Sequence, residues 1–355
     1  MDFGKSIRIK DIAKLAGVSV GTVDRVLHNR GRVSDSALQK VTAVMNQIEY
    51  KPNLIARTLG SNKNYRIAAL IPDPTLDPYW AQTNLGIIQA QKEWSQYGII
   101  VETIPFDLYN KESFHRIARE VIDDGPDAIL VAPIFYYESV SAFELFQLRE
   151  IPYILFNTNI LEGKPLGFIG QNLTQSGRVG AQLMNLGQHE PATFAILHID
   201  EDVHDSIHLL EKEKGFREYF KEQQKSKFEI VDLSLNPHQI TFDDQMRSLL
   251  ERVDLKGIFV STSKGTAVAA SFVETYGKSD IRLIGYDILQ ENLKYLKSGT
   301  IDFLINQNPK RQAQLGISHL ANHLMFKRPA PQMDLFPLEI ITQQNVDSYL
   351  ESGIH

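Results

Sequence analysis

A chain of 355 residues is too long for one ordinary hydrophobic core and divides into two or three compact units. With 43% hydrophobic and 23% charged residues it has the composition of a packed globular protein, and its lack of cysteine excludes disulfides, thiolate metal sites and a cysteine nucleophile. The net charge of -6 hides an asymmetry, because residues 1–64 carry eleven Lys and Arg against five Asp and Glu, and the remainder twenty-six against thirty-eight. A basic head on an acidic body points to a polyanion held by the head alone, since Lys and Arg contacts to phosphate supply the sequence-independent part of DNA affinity. The amino terminus MDFGKSIRIKDIAK has no apolar stretch of signal-peptide length, and nowhere do about eighteen uncharged apolar residues run together. The expectation is a cytoplasmic protein that does not contact a membrane.

The head reads as three short helices. Lys10 to Ala16 forms the first, with Ile12, Ala13, Leu15 and Ala16 as apolar positions, and Gly17 ends it in a left-handed cap. Ser19 caps a second helix through Val20 to Leu27; Val23, Val26 and Leu27 face inward, leaving Val20, Gly21, Asp24 and Arg25 outward. Ser34 starts a third, Asp35 to Ile48, in which Leu38, Val41, Val44, Met45 and Ile48 recur at helical spacing to roof a small core. Helix, glycine turn, helix is an arrangement that reads DNA.

The stretch IRIKDIAKLAGVSVGTVDRVLHNRGRVSDSALQKVTAVMNQIEYKPNLIARTL resembles the head of the lactose-repressor (LacI) family of regulators. The resemblance runs through Ala13, Ala16, Gly17, Val18, Ser19, Thr22 and Val23, the following RVLHN, and Tyr50, Pro52, Asn53, Ala56 and Leu59. It implies that the second helix lies in the major groove, with Val20, Gly21 and Arg25 near base edges and Ser19, Thr22 and Asn29 near phosphates. It also implies that the hinge from Asn53 through Ala56 to Leu59 turns helical when two copies meet on the operator, Leu59 entering the minor groove as an apolar wedge. Arg25 can donate two hydrogen bonds to guanine, whereas Val20 offers only apolar contact to a thymine methyl. Two departures bear on the operator: Asp24 replaces the usual Ser, and Gly21 removes a reading side chain.

From Arg66 the chain alternates strand-like runs with amphipathic helices: RIAALIP, Trp80 to Tyr97, IIVETIP, Glu112 to Asp123, DAILVAP, Ser139 to Arg149, IPYILFN. The rhythm restarts at GFIGQN and runs through TFAILHI, FEIVDLS, GIFVSTS, IRLIGYD and DFLINQN to LFPLEII. Alternation of this kind builds parallel sheets. The fold class expected is therefore a small all-α helix-turn-helix head with a hinge helix, then two doubly wound parallel α/β lobes. The duplicated pattern is similar to the type I periplasmic-binding-protein body that the family carries. The expected units are residues 1–51 for the DNA-binding head and 52–65 for the hinge helix and linker. The first lobe takes 66–160 plus about 290–330, and the second takes 161–289 plus about 331–345.

Ligands of parallel sheets bind beyond the carboxyl ends of the strands. Those ends are polar here: Asp73 with PTLDPYW, Asn157-Thr158-Asn159, Gln171-Asn172, Ser261-Thr262-Ser263, Asp287 and Gln307-Asn308. The stretch GYDILQENLKYLKSGTIDFLINQNP resembles sugar-binding members of the superfamily. That resemblance implies that Asp287 accepts from ligand hydroxyls, Gln307 bonds another, and Tyr79 or Trp80 stacks on an apolar ring face. Tyr136, within Phe135-Tyr136-Tyr137, lines the cleft or packs within the lobe. The family's Asp-Arg pair is Asn157-Thr158 here, and Leu209-Leu210, with His208 nearby, stand where an Arg is expected before Gly215-Phe216. A ligand that needs an anchoring cation is thereby disfavoured.

The ligand-site set is Asp73, Tyr79, Trp80, Tyr136, Asn157, His208, Ser263, Asp287 and Gln307. The pairs His204/His208 and His319/His323 have helical ligand spacing, but no HExxH accompanies them, so no metal and no cofactor are expected. No GxxxxGK[ST], GxGxxG or GxSxG occurs, and nothing points to an enzyme. The reading is a transcription regulator of repressor type, binding a pseudo-palindromic operator as a homodimer and sensing a small hydroxyl-rich metabolite such as a sugar. The competing reading is a solute-binding protein of a transport or signalling system without DNA binding.

Overall fold

The computed structural model describes residues 9–28, 33–48, 63–201, 206–223 and 227–352. The chain separates into two compact units, Met1–Ser61 and Asn62–His355. The expected hinge helix falls almost wholly outside the described residues; Tyr65, placed in the linker by the sequence, opens the first strand.

In the head, α1 (Ile9–Ala16), α2 (Val20–His28) and α3 (Asp35–Gln47) stand where the apolar periodicity puts them. Gly17 ends α1 at φ 63, and Val18 N donates to Ala13 O at 3.1 Å, the pairing of a glycine-terminated helix. Ser19 Oγ accepts from Thr22 N at 3.1 Å and Ser34 Oγ from Ala37 N at 3.4 Å. Ile12, Ala13, Ala16, Val23 and Val41 form the buried centre. Leu15 and Leu38, expected to serve that core, are 62% and 43% exposed. At about 100° per residue, Leu15 falls to one side of the stripe made by Ile12, Ala13 and Ala16.

The body is two six-stranded sheets. The first comprises β1 (Tyr65–Pro72), β2 (Ile99–Phe106), β3 (Ala128–Val131), β4 (Tyr153–Phe156), β5 (Gly167–Gly170) and β11 (Met333–Leu335) in the order β11-β5-β4-β3-β1-β2. The second comprises β6 (Ala192–Ile199), β7 (Phe228–Leu235), β8 (Leu255–Val260), β9 (Arg282–Tyr286), β10 (Phe303–Asn306) and β12 (Glu339–Ile341) in the order β12-β10-β9-β8-β6-β7. All pairings are parallel except β10 with β12. The interior strands are apolar on both faces, as a sheet covered on both sides requires. In the first lobe the helices are α4 (Pro78–Trp94), α5 (Lys111–Asp124), α6 (Tyr136–Leu148) and α12 (Pro309–Phe326). In the second they are α7 (Leu173–Asn185), α8 (Ile207–Glu222), α9 (Phe242–Leu250), α10 (Ser263–Thr275) and α11 (Gln290–Ser298), and α13 (Val346–Ser352) ends the described chain.

The lobe boundaries differ from expectation. GFIG is β5 of the first sheet, so the chain crosses at Gln171 and not at 160; α11 and β10 stay in the second lobe, so the return falls at Gln307 and not near 290. The last crossing lies between β11 and β12, not near 331. The three crossings are tied together by Gln171, whose Nε2 donates to Asn306 O at 2.8 Å and Pro337 O at 2.9 Å. Gln171, a candidate ligand group by sequence, is therefore a hinge tie.

Helices α7 and α8 touch backbone to backbone through two glycines. A Cβ on Gly177 would stand 1.9 Å from Lys212 O, and one on Gly215 would stand 1.9 Å from Thr174 O. Helix propensity alone gives Gly215→Ala about 1 kcal/mol of stabilisation, whereas overpacking costs about 1–3 kcal/mol or more. We expect Gly215→Ala to lower the melting temperature of the protein; a rise would show that α8 can slide away from α7 without loss.

Candidate functional site

The carboxyl ends of the two sheets face each other across a cleft, and the chain leaves several strands there in the left-handed region. Asn157 after β4, Asp200 after β6, Asp287 after β9 and Asn308 just past β10 have φ 68, 70, 63 and 54. Asn and Asp tolerate this conformation better than other residues with side chains, so each sharp strand exit also presents a polar group. The β9 exit is pinned by Asn292, whose Nδ2 donates to Ser263 O, Tyr286 O and Asp287 O at 2.9, 2.8 and 3.1 Å.

Asp287 is 1% exposed. It accepts from Gln307 N at 2.7 Å, Gln307 Nε2 at 2.6 Å and the Ser263 hydroxyl. Burial pushes its pKa up, while those three donors and the nearby Lys212 ammonium pull the other way. Lys212, on α8, is 2% exposed; its Nζ donates to Ser261 O at 2.9 Å and lies 3.7 Å from the centre of the Tyr286 ring. Burial lowers its pKa to about 8 against the attraction of Asp287 and Glu201. His208 Nε2 meets Glu201 Oε2 at 2.9 Å. Burial pushes Glu201 up, but His208 and Lys212 outweigh it and the carboxyl ends below its ordinary range.

The first lobe supplies Asp77, Tyr79, Trp80, Leu108, Tyr109, Ile134 and Asn157 to the cleft. Asp77 caps α4, its Oδ1 accepting from Tyr79 N at 2.8 Å and Trp80 N at 3.4 Å. Tyr79 donates its hydroxyl to Asn157 Oδ1 at 2.9 Å, and Trp80 packs edge-on to Tyr79 and Phe156. Tyr109 reaches across the lobes to Asp200 Oδ2 at 2.7 Å, where Lys264 Nζ also binds at 2.8 Å.

Of the residues singled out by sequence, Tyr79, Trp80, Asn157, His208, Ser263 and Gln307 line this cleft, with Asp287 directly behind Ser263 and Gln307. Asp73 does not: its Oδ1 accepts from Thr75 N at 2.8 Å and Thr75 Oγ1 at 2.7 Å and closes a local turn. Tyr136 lies instead in a separate hollow with Asn159, Leu161 and Phe168, its hydroxyl on Glu162 at 2.7 Å. Lys212, three residues before Gly215, places in the cleft an ammonium that the sequence reading did not include. Sequence reasoning also missed Asp77, Tyr109, Asp200, Glu201 and Lys264. The signal for Asp200 was available, as an Asp directly following an apolar strand.

His319 Nε2 meets Asp334 Oδ2 at 2.9 Å, and His204 lies outside the described residues. Among the described residues no cluster of three or more His, Cys, Asp or Glu groups could hold a metal, and no helix is long and apolar enough to cross a membrane. On α2, Val20 is 50% exposed; Ser19, Gly21 and Arg25 are exposed and Thr22 is half-buried. Asn29, Asn53, Ala56 and Leu59 lie outside the described residues.

A two-lobed receptor joined to a helix-turn-helix head defines a class, the regulator that couples a small-molecule cleft to DNA reading. Comparison with known proteins makes the class specific. Residues 8–53 match the model of the lacI family of bacterial regulatory proteins, and residues 67–328 match a periplasmic binding protein domain. The ribose operon repressor of Halalkalibacterium halodurans is 24% identical over 283 residues, 79% of this chain and 80% of that one. The sucrose operon repressor of Streptococcus mutans is 25% identical over 356 residues, 96% and 99% of the two chains. The crystal structure of a Bacteroides fragilis protein assigned to the LacI transcriptional regulators superposes with a TM-score of 0.75 at 30% identity, covering 81% of this chain and all of that one. The chain belongs to the LacI family: it is a DNA-binding transcription regulator with a periplasmic-binding-protein-like body, and the family is not one of enzymes.

Burial and the facing Glu201 carboxylate raise the Asp77 pKa from 3.8 to about 6. A folded-state value above the unfolded one means that the charged form costs stability, fully above about pH 6 and not at all below about pH 4. Asn caps helices as well as Asp does, so Asp77→Asn should stabilise the ligand-free protein by about 1–3 kcal/mol at pH 7.5. Thermal melts across pH should show the gain shrinking to nothing as pH falls from 6 to 4; a gain that persists at pH 4 would place its origin elsewhere.

Proposed function

We propose that this repressor holds a pseudo-palindromic operator as a cytoplasmic homodimer and that a small hydroxyl-rich metabolite, a sugar or sugar derivative, controls it by occupying the cleft. The observation that carries the reading is the convergence of strand-end carboxylates, amides and hydroxyls from both lobes around Asp287, Asn157, Gln307 and Lys212. Such a mixture answers the alternating donors and acceptors of a polyol. A site built to bond hydroxyls rejects analogues that lack them, because a desolvated partner is left unpaired. The names of the ribose and sucrose operon repressors support the sugar class.

On the DNA side, Arg25 reads guanine, Val20 contacts thymine methyls, and Ser19, Thr22 and Asn29 hold phosphates. Asn53, Ala56 and Leu59 form the paired hinge. Dimerisation follows from the need for two half-sites and is supported by apolar surface on the first lobe: Leu85 and Ile88, one helical turn apart on α4, and Ile100 on edge strand β2 are 48, 43 and 40% exposed. Closure of the lobes alters how two first lobes meet, and through them the spacing of two heads. The head's family match disfavours a solute-binding protein without DNA binding.

The test has two arms. A thermal-shift screen of monosaccharides, disaccharides, polyols and nucleosides identifies the effector, since a tight ligand stabilises the folded state by mass action. With that effector, Lys212→Met should lose about tenfold or more in effector affinity, the value of a hydrogen bond to a charged group, while still recognising the operator. Arg25→Ala should lose about 1–3 kcal/mol of operator discrimination and bind effector as the parent does. Loss of both functions in either folded variant, or a parent protein that ignores duplex DNA at every salt concentration, would overturn the reading.

A further inference from the structure

The two walls of the cleft differ in charge. The second lobe contributes cations and carboxylates that answer one another: Lys264 bonds Asp200, His208 bonds Glu201, and Lys212 sits in the field of Asp287 and Glu201. The first lobe lines the inner cleft with one charged side chain among the described residues, Asp77, and its Lys111 lines the adjoining hollow that shares Tyr109, Asp200 and Glu201. Asp77 is 8% exposed, spends only Oδ1 on the α4 amides, and forms no ion pair among the described residues. Across the cleft Glu201 repels it, and the opposing pull of Lys264 is weaker.

A second atom in the same cleft lacks a partner. His208 is 8% exposed, and its Nδ1 has no hydrogen bond. Its Nε2 faces the Glu201 carboxylate at 2.9 Å. Asp77, with Oδ2 free, and Glu201 thus line one cleft from opposite lobes.

Resting on the reading of the cleft as an effector site, we propose that the effector carries a protonated amine beside its hydroxyls, an amino sugar or aminopolyol, whose ammonium sits between Asp77 and Glu201. An ammonium has three donors and no acceptor, which suits a cleft lined by a carboxylate from each lobe. Two carboxylates on opposite lobes resist closure when nothing lies between them, and a cation between them turns that repulsion into attraction. Ligand charge itself then draws the lobes together. Anionic ligands, such as sugar phosphates and sugar acids, meet the unpaired Asp77 carboxylate on the first-lobe wall of the inner cleft.

The experiment titrates the full-length protein at pH 7.5, by calorimetry, with matched sets on one skeleton: glucose, glucosamine and glucuronate; galactose, galactosamine and galacturonate; glucitol and 1-amino-1-deoxyglucitol. In the set that binds, the amine should be tighter than the neutral member by about tenfold or more, as a charge-assisted hydrogen bond gives. In Asp77→Asn that ratio should fall to about one, and in Glu201→Gln it should fall several-fold, circular dichroism confirming that both variants fold. A neutral or acidic member that binds as tightly as the amine overturns the proposal and leaves the sugar reading standing, as does an amine preference that survives Asp77→Asn. The absence of binding in every set overturns the proposal, and the sugar reading falls with it only if the wider thermal-shift screen finds no binder either.

Discussion

A buried ammonium must be answered by its surroundings or lose its proton, and the cleft of this regulator is assembled around one. Lys212 leaves water on α8 and is met by the Ser261 carbonyl, the face of Tyr286 and the carboxylates of Asp287 and Glu201. These partners come from the ends of β8, β9 and β6, so three strand exits are fixed relative to one helix. The helix is held in place by the mutual glycine contact of Gly177 and Gly215, which leaves no room for α8 to adjust. Removing one charge from such a set leaves another stranded, which costs far more than a surface pair is worth.

The same economy explains why closure is conditional. Each lobe has its own core and sheet, and the three crossings are bound into one hinge by Gln171, while Gln312 joins Asn157 N to Gln307 O. Beyond the hinge the lobes meet through Tyr109 to Asp200 across the mouth and Ile207 against the first-lobe core, while Asp77 and Glu201 repel one another further in. A few such contacts can be tipped by a ligand, which is what a population shift of a few kcal/mol requires. A large apolar interface between the lobes would not respond in this way.

Much of this was legible in the sequence. Gly17, Ser19 and Ser34 mark the helix ends of the head by the chemistry of caps, and the strand–helix alternation after Tyr65 fixes two parallel sheets. Asn157, Asp287 and Gln307 were visible because parallel strands deliver their last residues to a ligand. The lobe boundaries were not: GFIG has the same strand signature whichever sheet it joins, and only its pairing with β4 decides. The antiparallel β12 looks like another parallel strand for the same reason. Lys212 escaped notice because a lysine amid IHLLEKEKGF reads as a solvated helix face, and burial depends on which side α8 turns to α7. Asp77 was hidden by its own success as a helix cap, a local role that accounts for the residue before its second oxygen is considered. Asp73, by contrast, stood at a strand end and was taken by a turn.

The claim that the cleft is built on a buried charge set is tested most directly by a double-mutant cycle on Lys212→Met and Asp287→Asn, read as unfolding free energy of the ligand-free protein at pH 7. If the two groups sustain each other, each single variant destabilises the protein and the double variant is less destabilised than the sum, with a coupling of about 1 kcal/mol or more. Strict additivity, within about 0.3–0.5 kcal/mol, would contradict the account and reduce Lys212 to a residue that merely happens to be enclosed.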